Sequence, residues 1–359
     1  MEFIFTTALA FAVSRYVHVI PAIVVQIIFG IILGAGVFSI NTNGFGVAFL
    51  SNFGLFVIFY QVGMDFDLAA PELTSTSPAR SAVAGVSTSL VLVLLAMLAL
   101  GHSIESSLLV GLATVSTSVS VSVYSFLALG PLSHLEAKVA VMAGLFDDLL
   151  GLSALAVLSS VLSKSLDGMV SLIASLLVVA VSYVLQRRLS GKSFELAAAR
   201  RYLLVAILAA FVILLWHQFG LTLAIAGFVA GAFSGPVLTG ADRRFLIKFS
   251  GFVAPFFLVS IGLLVKVREG ITVPDVLGVV VLSFALILAK GAAAIVIRNQ
   301  VKDRVLYWFS MVPRAEVAGI GLVLIAPRVS SGIELQAVLA VIVTSIVAPL
   351  VIAHRAKQA

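Results

Sequence analysis

Residues 135–163 read LEAKVAVMAGLFDDLLGLSALAVLSSVLS. A helix that crosses a bilayer needs about 20 mostly apolar residues, and this stretch supplies more than that. Asp147 and Asp148 interrupt it. They lie about 11 residues from its start, roughly 16 Å along a helix that rises 1.5 Å per residue. Two adjacent carboxylates therefore fall near mid-membrane. Neighbouring helical residues point about 100° apart, so the two face different surroundings. Charge in the hydrocarbon is costly and marks a functional site by default. The pair fixes both the class of protein and the place to look for its chemistry.

The rest of the chain agrees on the class. Of 359 residues, 61% are apolar and only 11% charged, and the mean hydropathy is +1.21. Soluble domains run to about 45–50% apolar and about 25% charged. A soluble enzyme, a disordered chain and a nucleic-acid module are excluded on these grounds, and no enzymatic activity or cofactor is expected. There is no cysteine, which removes disulfides and thiolate metal sites. The net charge of +6 is a matter of which loops carry it. Met1-Glu2-Phe3 lacks the basic start of a signal peptide.

Polar breaks divide the sequence into thirteen candidate spans, near 2–15, 19–38, 48–66, 79–100, 105–129, 135–163, 168–187, 199–217, 219–235, 242–266, 272–297, 304–327 and 333–353. The division at 19–21 sets the count, since a fused 1–38 would give twelve. Odd-numbered connections and the C-terminal tail hold Arg15, Arg80, Lys138, Arg187, Arg188, Lys192, Arg200, Arg201, Arg243, Arg244, Lys248, Arg298, Lys302, Arg304, Arg355 and Lys357. Even-numbered ones hold only Lys164, Lys266, Arg268 and Arg328. By the positive-inside rule this asymmetry gives an outside N-terminus and a cytoplasmic C-terminus.

A weak internal repeat fits the same topology. Gly30 and Gly34 recur as Gly227 and Gly231, and Phe53 with Val62-Gly63-Met64 recurs as Phe252 with Ile261-Gly262-Leu263. Equivalent spans are then an odd number apart, so the second half is inverted, a plan common in secondary transporters. The expected organisation is a first repeat over 1–163, a linker over 164–198 and a second repeat with a short tail over 199–359.

Three further features sit where a membrane should exclude them. Lys290 lies well inside the 272–297 span; it can snorkel to the inner surface or pair with one of the aspartates. Pro313-Arg314-Ala315-Glu316 interrupts the 304–327 span, because Pro313 removes a backbone donor. Arg314 and Glu316 do not face each other on a regular helix. On an unwound segment they can pair with each other or with other helices, or serve as a structural ion pair. The run Thr114-Val115-Ser116-Thr117-Ser118-Val119-Ser120-Val121-Ser122 is a poor helix interior, although hydroxyls also serve as interhelical glue. In the repeat, Thr117 is the partner of Glu316. Two broken helices at equivalent positions are a pointer to a transporter's binding site.

These residues together carry a resemblance. Gly144-Leu145-Phe146-Asp147-Asp148-Leu149-Leu150-Gly151-Leu152 resembles the double-aspartate motif of monovalent cation/proton antiporters, of the NapA and NhaA type of Na⁺/H⁺ antiporter. Thr117-Ser118 resembles the family's first crossing helix, and Met311-Val312-Pro313-Arg314-Ala315-Glu316-Val317 its Pro-Arg-Gly-Glu-Val motif, with Ala315 for the usual Gly. Pro21 to Gly34 resembles the family's early Pro…Gly…Gly helix. Gly63-Met64-Asp65-Phe66 is similar to its Gly-Leu-Glu-Phe segment, with Asp65 for Glu. The likeness runs from about residue 20 to 350.

The resemblance implies an all-α membrane bundle with crossed discontinuous helices, working by alternating access in the cytoplasmic membrane of a prokaryote. Its implied activity is electrogenic exchange of Na⁺ or Li⁺ for H⁺. Asp148 would hold the cation and the proton, with the Thr117 backbone as a further Na⁺ ligand, and Asp147 would pair with Lys290. A homodimer in lipid is implied, with Na⁺ and H⁺ as the transported partners and no nucleic acid. The glutathione-gated potassium-efflux relatives carry an attached nucleotide-binding domain, which this sequence does not show, and that favours Na⁺. K⁺/H⁺ exchange, a channel or sensor, and Na⁺-coupled solute symport are the competing readings.

Overall fold

The structure is a computed structural model that describes residues 1–16, 22–38, 40–41, 44–64, 77–127, 135–163, 173, 223–235, 238–263 and 272–356. Every regular element among them is helical. In order these are α1 (Glu2–Tyr16), α2 (Ala22–Phe29), a π-helical turn (Gly30–Val37), α3 (Phe45–Met64), α4 (Ser77–Ala99), α5 (Ile104–Thr114), α6 (Val119–Leu127), α7 (Leu135–Ser163), α8 (Leu223–Ser234), α9 (Gly240–Gly262), α10 (Val273–Ala289), α11 (Gly291–Val296), α12 (Arg304–Ser310), α13 (Glu316–Ile325), a 3₁₀ turn (Ala326–Arg328) and α14 (Ser331–Ala356). Among the described residues four stretches are long and apolar enough to cross a membrane: Ser77–Ala99, Gly240–Gly262, Val273–Val296 and Ser331–Arg355. The spans read at 168–187 and 199–217 lie outside the described residues.

The chain packs as two units, and neither is a sequence half. One unit holds Met1–Thr42, Ser75–Ser159 and Leu258–Ala359. Within it α1 packs on α2, and Gln26 donates to Ser14 Oγ at 3.3 Å across that contact. Among the described residues of 1–38, α1 and α2 are separate elements packed on each other. Gly101 has φ +83°, a conformation that costs glycine nothing, and Ser103 caps α5 by accepting from Ser106 N–H at 3.2 Å. That tight connection lays α5 along α4. Thr272 and Asp275 form a capping box that starts α10. α4 also packs on α10 and α11, α5 on α13, and α14 on α10 and α12.

The other unit holds Asn43–Thr74 and Ser160–Phe257. Its contact is α3 against α8, and glycines make it close. A Cβ on Gly63 would meet the Phe228 carbonyl, and one on Gly231 the Tyr60 carbonyl. Ser234 and Tyr60 share a hydroxyl–hydroxyl bond of 2.5 Å.

Within two of the spans the helical hydrogen bonding changes along the way. The 272–297 stretch turns at Lys290, which ends α10 and precedes α11. The second half of the 19–38 stretch is π-helical.

Candidate functional site

The hydroxyl run and the proline segment both unwind, and they unwind against each other. α5 stops at Thr114 and α6 resumes at Val119; α12 stops at Ser310 and α13 resumes at Glu316. α5 lies on α13, where a Cβ on Gly321 would come within 2.8 Å of Ala113 Cα, and α6 lies on α12. The two chains therefore cross at their breaks. Helix ends buried this way leave backbone groups in need of partners, and the two breaks supply them to each other. Ser118 N–H donates to the Pro313 carbonyl at 2.6 Å. Thr117 Oγ1 donates to the Met311 carbonyl at 2.9 Å, and Ser122 Oγ to that of Ser310. Ser345, from α14, donates to the Arg314 carbonyl.

Two buried charges, Asp147 and Arg314, meet the first break, and a third, Lys290, partners the aspartate. Asp147 accepts the Thr117 N–H, at the entry to α6, on Oδ2. On Oδ1 it holds Lys290 Nζ at 2.7 Å, with both side chains fully buried. Arg314, also fully buried, sits at the other end. Its Nη1 donates to the Val115 and Ser116 carbonyls at 2.8 Å each, and its Nη2 to Ser89 Oγ at 3.0 Å. A helix carries partial positive charge at its N-terminus and partial negative charge at its C-terminus. The anion faces the start of α6 and the guanidinium the end of α5, so each charge opposes the dipole end it meets. Gly151 of α7 lets that helix come close; a Cβ there would meet Ser116 Cβ at 2.5 Å.

Of the residues singled out from sequence, Asp147, Lys290, Thr117, Ser118 and Arg314 converge here. Asp148 is the next residue of α7 and Glu316 the first of α13; their side chains lie outside what is described. Arg314 makes its described bonds to carbonyls and a serine. The Val115 and Ser116 carbonyls are thereby engaged by the guanidinium, as are the Thr117 N–H and hydroxyl by Asp147 and Met311. Sequence reasoning did not reach Ser89, Gly85, Ser345 or Tyr307. The spacing of Ser81, Gly85 and Ser89 along α4 was the available signal for one face. Nothing in the sequence marks Ser345 apart from other serines in apolar helices.

Comparison with known proteins identifies the family. The family described as "Sodium/hydrogen exchanger, transmembrane" matches residues 3–357. The Na(+)/H(+)-K(+) antiporter GerN of Bacillus cereus is 25% identical over 347 residues, covering 92% of this chain and 88% of its own. The high-affinity Na(+)/H(+) antiporter NhaS3 of Synechocystis is 25% identical over 331 residues, covering 84% of this chain and 70% of its own. Among solved structures, the sodium proton antiporter MjNhaP1 of Methanocaldococcus jannaschii at pH 8 has the same fold. Its TM-score is 0.66 at 17% identity, with 100% of this chain and 98% of that one covered. Crossed breaks, buried charges at their ends and a family match over nearly the whole length lead to one conclusion: this chain is an integral membrane protein of the sodium/hydrogen exchanger family.

Proposed function

We propose that this protein exchanges Na⁺, or Li⁺, for H⁺ by alternating access at the crossed breaks. The observation that carries the reading is the buried Asp147–Lys290 pair held against the start of α6. A buried ion pair is poor at adding stability, because desolvation offsets its attraction. It is well suited to being exchanged: a cation or a proton reaching the carboxylates replaces the ammonium as their partner. Asp148 is assigned as the principal cation and proton ligand on the family motif, with Asp147 as the partner that Lys290 releases and re-forms. Glu316 and Arg314 steady the second break and the α5 end. Two acids and one lysine fit two protons per Na⁺, hence electrogenic transport.

Thirteen spans in two inverted repeats fit this reading, and a matched pair of helix contacts supports it. A Cβ on Gly262 would meet the Ile27 carbonyl and the Ile31 N–H, while one on Gly63 would meet the Phe228 carbonyl and the Ala232 N–H. Gly30 faces the Val259 carbonyl as Gly231 faces that of Tyr60. These contacts align Gly30 with Gly231, one turn from the Gly30–Gly227 alignment suggested by the glycine pattern. We further assign an outside N-terminus and a cytoplasmic C-terminus in a prokaryotic cytoplasmic membrane, and a homodimer, which light scattering in detergent checks.

A K⁺-exchanging activity is the second reading, favoured by the likeness to the Na(+)/H(+)-K(+) antiporter of Bacillus cereus. Proteoliposomes with an acid interior decide between them. Na⁺ or Li⁺ added outside should raise the internal pH, faster with the potential clamped. An equal response to K⁺ moves the assignment to potassium. No response to any of the three cations rejects antiport, in favour of solute symport.

A further inference from the structure

α4 carries Ser81, Gly85 and Ser89 at four-residue spacing, which places them on one helix face. Each meets a different part of the site. Ser81 Oγ donates to the Ala293 carbonyl at 3.0 Å and lies 2.8 Å from Tyr307 Oη. Ser89 Oγ accepts from Arg314 and donates to the carbonyl of Gly85 at 2.7 Å. Gly85 faces Lys290 itself. A Cβ there would stand 3.2 Å from Lys290 Cδ, 3.3 Å from Nζ and 3.4 Å from Ala293 Cβ, so the lysine would have to give by a few tenths of an ångström.

The backbone beside Lys290 is held as well. Lys290 occupies the turn between α10 and α11, and three residues before it, within α10, the carbonyl of Ile287 accepts the Trp308 indole N–H at 2.7 Å. Gly291 packs 3.5 Å from that ring by the same measure of an added Cβ. Residues on either side of the lysine thus meet Trp308 of α12, and its Cδ and Nζ lie beside Gly85 of α4. Glycine within a helix is disfavoured relative to alanine, so position 85 runs against helix propensity in a helix 23 residues long. The space it leaves is the space the ammonium uses to reach Asp147.

We propose that Gly85 is a positioning residue for Lys290, and that the size of residue 85 sets how hard the transported cation must compete with the ammonium for Asp147. This rests on the exchange reading above. A methyl group at position 85 crowds Nζ and loosens the ion pair, so the cation then needs less concentration to displace it.

The test is a double-mutant cycle. Na⁺-driven proton flux is measured in proteoliposomes for the wild type, Gly85→Ala and Gly85→Ser. Na⁺-dependent thermal stabilisation of the purified protein is measured for the same set with and without Lys290→Ala. Gly85→Ala should lower the Na⁺ KM by about threefold to tenfold, the coupling expected between direct neighbours, with a smaller change in kcat. Gly85→Ser should shift it in the same direction, which keeps the test valid if one variant does not fold. In the Lys290→Ala background the substitution at 85 should leave the Na⁺ midpoint where it was. An unchanged or raised KM, or an equal shift without Lys290, overturns the proposal. Absence of any Na⁺ response in the wild type would instead defeat the exchange reading, so the two failures are told apart.

Discussion

The two helix breaks solve one problem by different means. At the first, residues 115–118, formal charge does the work: Asp147 takes the Thr117 N–H, and Arg314 takes two carbonyls. At the second, residues 311–315, neutral donors serve the carbonyls: Thr117 Oγ1, the Ser118 N–H and Ser345 Oγ. Hydrogen bonds to charged groups contribute roughly twice what neutral ones do. They also respond to any ion or proton that arrives. On the exchange proposed above, the first break is the responsive one and the second its scaffold.

The contrast predicts a graded series of effects. Arg314→Ala strips both carbonyls at the end of α5 of their donor and should cost the most, about 1–3 kcal/mol for each buried carbonyl left unpartnered. Thermal unfolding in detergent measures it. Lys290→Met strands the Asp147 carboxylate in the interior and should destabilise by a similar or slightly smaller amount. Adding Asp147→Asn to Lys290→Met should then recover most of that loss, because a neutral pair replaces an ion pair of similar shape. Exchange should remain absent in that double variant, which separates what the pair does for stability from what it does for transport. Ser345→Ala should cost the least, about 0.6 kcal/mol, as measured for hydroxyl bonds between membrane helices. A cost for Ser345→Ala equal to that of Arg314→Ala would remove the distinction between the breaks.

Part of this was legible from residues alone. The interruption of α12 and α13 followed from Pro313, and that of α5 and α6 from a run of hydroxyl and β-branched residues. The bounds of α7 follow directly from its apolar run. The turn at Lys290 had one local signal, Gly291, set among helix-favouring Leu and Ala; the bond from Trp308 to the Ile287 carbonyl accompanies it, and that contact is tertiary. The π-helical turn at Gly30–Val37 escaped for a similar reason, since Gly30 packs on the backbone of α9. The residues alone left Lys290 to snorkel or to pair with either aspartate; the family resemblance implied Asp147, and the 2.7 Å ion pair is to Asp147. Ser345 and Ser89 escaped because a single serine in an apolar helix reads as ordinary interhelical glue.

The central claim is that cation and proton meet at the carboxylates beside the first break. Na⁺-driven proton efflux from acid-loaded proteoliposomes, comparing the wild type with Asp148→Asn at equal amounts of folded protein, tests it most directly. The account predicts a rise of internal pH in the wild type and none in the variant. Sustained Na⁺-dependent efflux through Asp148→Asn would contradict it.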